Sequence, residues 1–110
     1  MSSVFRRGAA RDDLIEHFVY LAENAGEVRA HHFLDNAELT FAELLRFPEM
    51  GSPVRLRAAA LAGLRKWQVK DFDKFLIFYL THPRGITIVR VLYAQQDWWG
   101  MFGVEQEGKL

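Results

Sequence analysis

Apolar residues recur at helical spacing near the start of the chain, in residues 9 to 24. The stripe they form predicts an amphipathic helix, and its members are Leu14, Phe18 and Leu21. Asp12 and Asp13 suit the first turn of such a helix, where acids oppose the positive end of the helix dipole. Asn24-Ala25-Gly26 is typical of its end.

A longer stripe follows and has the clearest period in the sequence. It predicts a second helix that ends before Pro48, and its members are Ala30, Phe33, Leu34, Ala37, Phe41, Leu44 and Leu45. Because the connection between the two helices is short, we expect them to form an antiparallel hairpin.

Beyond residue 64 the pattern changes to short runs rich in β-branched and aromatic residues, LRKWQV, KFLIFYL and ITIVRVLY. Turn signals at residues 70–73 and 82–85 separate these runs, which therefore predict a three-stranded antiparallel meander. A short strand at residues 3–6 is expected to join the sheet. Residues 54–63 are compatible with either a helical turn or an irregular crossover.

These elements predict an α+β fold in which an antiparallel helical hairpin packs on an antiparallel β-sheet with a short N-terminal strand. We expect one domain over residues 1–110. Its parts are the hairpin at about 9–47, the meander at about 64–93 and an aromatic C-terminal tail at 94–110.

Both faces of the predicted sheet are apolar. Strict alternation in the last strand puts Ile86, Ile88, Arg90 and Leu92 on one face, with Val89 and Val91 on the other. A small antiparallel sheet with helices on one side normally has a polar second face. We therefore expect the second face to be covered by the chain's own tail, by a second copy in a homodimer, or by another protein.

Composition narrows the classes of function. The 110 residues, 50% of them hydrophobic, suffice for one core, and the absence of Cys excludes disulfides and thiolate chemistry. The longest bulky apolar run, FLIFYL, is too short to cross a membrane, and the N-terminus does not resemble a secretory signal. We expect a soluble protein of the cytoplasm.

The net charge of zero hides an uneven distribution. Residues 12–49 carry nine acids against Arg29 and Arg46, whereas residues 51–92 carry eight bases against Asp71 and Asp73. An anionic partner for one face is therefore compatible with the sequence, but broad nonspecific binding to nucleic acid is disfavoured.

Arg90 stands in the middle of an apolar strand and has two interpretations. It either reaches the sheet edge or pairs with an acid such as Asp97, or it is held on a rigid strand to contact a phosphate or a partner's carboxylate. Further basic residues in the predicted meander, which are Arg65, Lys66, Lys70 and Lys74, are either solvated or part of a basic surface with Arg90.

The remaining chemistry is sparse. His31 and His32 are adjacent on a predicted helix and point about 100° apart, so they cannot share a metal. The sequence has no nucleophile elbow and no glycine-rich phosphate loop, and we predict neither a metal nor a cofactor.

The tail after the last strand is rich in aromatic residues. Trp98 and Trp99 either pack back over the sheet or anchor a protein partner. In the second case Leu76 and Phe78 of the preceding strand would also lie in the interface.

Taken together, these segments resemble the RelE/ParE superfamily of toxins from bacterial type II toxin–antitoxin systems. The resemblance runs from about Phe5 to Asp97 and is strongest for the ParE-like, plasmid-stabilisation branch. It rests on LIEHFVYLAENAG, HHFLDNAELTFAELLRFPEMGSP, LAGLRKWQVKDFDKFLIFY and GITIVRVLYAQQD, in this order and spacing.

The resemblance implies a cognate antitoxin that wraps over the toxin and blocks it. It also implies DNA gyrase as the target of a ParE-like member, with the sheet face around Arg90 and the tail as the contact surface. The alternatives are a RelE-like endoribonuclease acting on mRNA at the ribosome, or an inactive relative that only binds an antitoxin.

For the ribonuclease alternative, the resemblance gives Arg90 the role of stabilising charge at the scissile phosphate and Tyr93 that of acid or base. Lys66, Lys70 and Lys74 fall in the region where such enzymes keep basic residues. The string RVLYAQQD departs from the RVLHGARD of many relatives, so that Tyr93 replaces a histidine.

Overall fold

The computed structural model describes residues 2–55 and 61–102, except for the side chain of Trp99. The elements, in chain order, are β1 (Ser3–Arg6), α1 (Gly8–Ala25), α2 (Glu27–Arg46), β2 (Ser52–Pro53), β3 (Arg65–Val69), β4 (Phe72–His82), β5 (Gly85–Tyr93) and α3 (Trp98–Phe102). The predicted α+β class is confirmed. Of the stretch left open between helical turn and crossover, residues 56–60 lie outside the described residues.

The two long helices form the predicted hairpin. Gly26 alone separates them and has φ of +95°, a value that L side chains rarely adopt. Because α1 begins at Gly8, Asp12 and Asp13 lie beyond its first turn, so the prediction of acids opposing the helix dipole was wrong. This leaves Asp13 free for another role.

The sheet has the order β1-β5-β4-β3-β2. Strands β2 to β5 pair antiparallel, but β1 pairs with β5 in parallel, so the sheet is mixed at one edge. Gly85 lies opposite Ser3 in this pairing, and a Cβ at position 85 would collide with the Ser3 backbone. Glycine is therefore required where β1 passes the start of β5.

The face of the sheet beneath α1 and α2, the inner face, holds the larger core. The stripe of α2 packs here, and Phe33, Phe72 and Phe75 meet with ring centroids 4.8 to 6.5 Å apart. Polar atoms at this face are matched: the buried Tyr79 hydroxyl donates to Pro48 O at 2.7 Å and accepts the Gly51 N–H at 2.9 Å.

The opposite face, the outer face, is covered by the chain itself. Phe102 of α3 lies with its ring centroid 4.8 Å from that of Phe78, and Trp98 lies 5.4 Å from the same ring. Val54 and Leu64 complete the cover. The chain's own tail, one of the three covers considered for the second apolar face, therefore packs on it.

A β-bulge interrupts the alternation predicted for β5. The register shifts so that Phe78 pairs with Arg90 while Tyr79 pairs with Ile88, and Val89 is the extra residue. Val91 therefore joins the inner cluster and Leu92 the outer one. The prediction that Leu92 shares a face with Ile86 and Ile88 was wrong, because it assumed an unbroken strand.

Candidate functional site

Arg90 is held by Asp13 of α1. Its Nε donates to Asp13 Oδ2 at 2.7 Å and its Nη2 to Asp13 Oδ1 at 2.8 Å, the bidentate geometry of a strong arginine–carboxylate pair. The same Oδ2 accepts the Val91 N–H at 2.9 Å. The hydrogen bonds that Arg90 donates to this carboxylate raise the pKa of Arg90 above its ordinary value.

The partner of Arg90 is therefore not Asp97, the acid suggested by the sequence. Asp97 instead accepts the Gly100 N–H at the start of α3. Asp13 is only 6% exposed and lies on the buried stripe of α1 that begins at Ala10. Its spacing of three residues from Ala10 was the one sequence signal that it faces the sheet.

Two of the basic residues predicted to share a surface lie on different faces. Arg65 pairs in register with Tyr79, and its Nη1 donates to Gly51 O at 2.6 Å. Lys66 pairs with Phe78 on the outer face, where its Nζ lies 6.0 Å from the Trp98 ring centroid. One basic surface cannot include both side chains.

The other two lysines flank the turn between β3 and β4. Lys70 and Lys74 are both exposed, and the Lys70 backbone N–H donates to Thr40 Oγ1 at 3.1 Å. This bond and that from Asn36 Nδ2 to Lys70 O fix the backbone of the turn to α2. The position of the Lys70 backbone is thus fixed, whereas its ammonium group faces solvent.

Tyr93 ends β5 beside a groove at its junction with α1. Its ring lies 5.4 Å from that of Phe75, and the groove, of about 470 Å³, is also lined by Glu16, His17 and Tyr20 of α1. His17 Nε2 lies 2.7 Å from Val91 O and must donate, because a carbonyl oxygen only accepts.

Sequence reasoning missed these three α1 residues. Glu16 and Tyr20 are four positions apart and therefore share one face of the helix, which was the available signal.

The residues predicted to bind a partner lie mostly in the outer cluster, where α3 packs on the sheet. Phe78 is fully buried, Trp98 is 8% exposed and Leu76 is half-buried beside them. A protein that contacts Phe78 must first displace α3.

The described residues offer little for other chemistry. Within residues 2–55 and 61–102, no three His, Asp or Glu side chains lie close enough together to hold a metal ion. In the same part of the chain, no helix is long and apolar enough to cross a membrane.

Comparison with known proteins places this arrangement in a family. A chain of the chromosomal ParDE TA system from P. aeruginosa has the same fold, with a TM-score of 0.70 and 16% sequence identity, over 86% of this chain and 98% of that one. A search of curated protein sequences found no match. The family model for the ParE toxin of the type II toxin–antitoxin system parDE matches residues 4–98. The chain therefore belongs to the ParE toxin family of type II toxin–antitoxin systems.

Proposed function

We propose that this chain is a toxin that acts by binding DNA gyrase in the bacterial cytoplasm and that a cognate antitoxin neutralises it. Membership of the ParE family supports the toxin–antitoxin pairing. The choice of gyrase over mRNA as the target rests on Arg90 and its ion pair with Asp13.

The observation that carries the proposal is the closed pair between Arg90 and Asp13. A ribonuclease needs a cation directed at the scissile phosphate, where it stabilises the charge that develops. In this chain the guanidinium already donates two hydrogen bonds to a buried carboxylate, which balances its charge. A phosphate would have to compete with Asp13 for the same donors.

The cover of the outer face supports the same choice. Phe78 of β4 lies opposite Arg90 of β5 in the strand pairing, and Trp98 and Phe102 cover it. An mRNA strand would need this part of the sheet to be open. Binding to a protein target makes no such demand, because it can use the helices and the sheet edges.

Expression of the chain alone in a bacterial host tests the proposal. We expect growth arrest with a DNA-damage response, intact mRNA by primer extension, and inhibition of supercoiling when purified chain is added to purified gyrase. Co-expression of the antitoxin encoded by the neighbouring reading frame should restore growth.

Two other outcomes would contradict the proposal. Cleavage of mRNA within reading frames, with gyrase unaffected, would identify a ribosome-dependent endoribonuclease. Unimpaired growth, with no effect on either process, would identify a relative without toxic activity that only binds an antitoxin.

A further inference from the structure

The groove between α1 and β5 has the chemistry of a site for a cationic side chain. Aromatic rings of Tyr20, Phe75 and Tyr93 line it together with the carboxylate of Glu16. Aromatic faces and a carboxylate both attract an ammonium or a guanidinium group. Gln95 and Gln96, at the open end, add amide oxygens that can accept from such a cation.

The polar groups of the groove are available to a ligand. In the described part of the chain, Glu16 forms no ion pair, and the hydroxyls of Tyr20 and Tyr93 form no hydrogen bond. His17 is the exception, because its Nε2–H is used by Val91 O. The groove thus presents one carboxylate and two hydroxyls without protein partners among these residues.

The charge balance near the groove also favours a cation. Arg90 is close enough for the negative charge of Glu16 to raise its pKa, but the chief cause of that rise is the hydrogen bond to Asp13. Because the charge of Asp13 neutralises that of Arg90, the three side chains Arg90, Asp13 and Glu16 together retain one net negative charge.

An exposed apolar strip lies on α1, the helix that lines one side of the groove. Ile15 is 63% exposed and Val19 is 47% exposed, and their spacing of four residues puts both on one side of α1. They precede Glu16 and Tyr20 by one position each, so the strip lies about 100° around α1 from the row that lines the groove. A partner segment that crosses α1 can bury this strip and also extend a long side chain into the groove.

We propose that the α1–β5 groove and the Ile15–Val19 strip receive an amphipathic segment of the antitoxin, which inserts a lysine or arginine side chain beside Glu16. The inference rests on the proposed function in that it takes the antitoxin as the occupant. A second copy of this chain fits less well, because a two-fold interface through this strip brings two unbalanced Glu16 carboxylates onto one surface.

The test measures binding of the full chain to the antitoxin encoded by the neighbouring reading frame and to overlapping synthetic peptides that cover that antitoxin. Glu16→Gln keeps the shape of the side chain and removes its charge, and we expect it to weaken binding about tenfold. Glu23→Gln is the matched control, because Glu23 is exposed on the same helix but does not line the groove.

The peptide that binds should contain a lysine or arginine whose change to glutamine weakens binding to the same extent. The two changes should not add when combined, because each removes one half of the same contact. Ile15→Ser should weaken binding of the same peptide, and the fold of each variant is checked by circular dichroism.

The outcomes separate the two proposals. If the antitoxin binds Glu16→Gln and Glu23→Gln as tightly as the parent chain, the groove is not the site, although neutralisation by the antitoxin stands. If the antitoxin does not bind the parent chain, both proposals fail. If light scattering shows a dimer of the chain alone that Ile15→Ser dissociates, the occupant is a second copy and the inference is overturned.

Discussion

The strands present apolar side chains on both faces of the sheet, but different helices cover the two faces. Strands β4 and β5 present apolar side chains to both sides, and each side has its own buried cluster. The inner face lies under helices of 18 and 20 residues, whereas α3 on the outer face has five. The apolar content of a strand therefore shows that a face is covered but not how firmly.

Polar contacts separate the faces further. Asn36, Thr40 and Asp13 are buried on the helix side, and each is hydrogen-bonded to the backbone of a strand or turn. Such bonds fix the register of the helices on the sheet, since a shift leaves buried polar groups unpaired. Among the described residues, every buried polar side chain that is not aromatic lies on α1 or α2, so none of these fixes the cover of the outer face. We therefore expect the outer cover to open first.

The largest effect should follow from a change in the inner cluster. Phe33→Ala removes a fully buried ring that contacts Phe72 and Phe75. We expect it to lower the free energy of unfolding by about 4 kcal/mol, from lost burial and the remaining cavity. Urea denaturation followed by circular dichroism measures this loss. A loss no greater than that of Phe102→Ala would overturn the ranking of the two faces.

The next largest effect should come from the link between α1 and β5. Asp13→Ala leaves the half-buried Arg90 and the Val91 N–H without their partner, and should cost about 3 kcal/mol of unfolding free energy. The matched control is Glu38→Ala in the more exposed Arg6–Glu38 pair, which should cost less than about 1 kcal/mol. Asp13→Ala combined with Arg90→Ala should cost less than the sum of the single changes. Additive losses would show that the two side chains act independently.

A smaller effect is expected on the outer face. Phe102→Ala removes the ring that packs on Phe78, but α3 is short and can adjust, so we expect a loss of about 2 kcal/mol. Hydrogen exchange should show faster opening of the α3 amides with little change in α2. If the amides of α2 lose protection to the same degree, the two covers are one cooperative unit.

The smallest effect depends on pH. Burial raises the pKa of Tyr79 above its ordinary value of 10.0, so the folded state resists its ionisation. The associated stability is present below pH 10.0 and is lost as the pH rises towards the raised pKa. Tyr79→Phe should cost about 1 kcal/mol at neutral pH, because the bonds to Pro48 and Gly51 are lost.

Above pH 10.0, Tyr79→Phe should lose less stability with each step in pH than the parent chain. Urea midpoints recorded over this range provide the comparison. Parallel curves for the two proteins would show that Tyr79 does not contribute to the alkaline loss.

Local patterns were enough to predict the helices and the meander. Most apolar residues of the predicted stripe from Ala30 to Leu44 are buried in α2. This agreement is expected because a helix that packs one side on a sheet buries residues at the helical period along its whole length. The strand at residues 3–6 was also predicted, but its parallel pairing was not, because strand direction depends on the path of the intervening chain.

The site was less predictable because its contacts join distant parts of the chain. Asp13 and Arg90 are 77 residues apart, and no local pattern links them. The bulge at Val89 changed which residues of β5 face the helices, and no glycine or proline marked it. The groove at Glu16 arises only where α1 meets the end of β5.

The parallel pairing of β1 with β5 has a consequence for synthesis. β1 leaves the ribosome before its partner β5, which follows the helical hairpin and the rest of the sheet. Its backbone must remain unpaired with β5 until β5 has emerged, and closure of so long a loop slows folding. The apolar side of the helical hairpin is therefore synthesised before the sheet that covers it is complete.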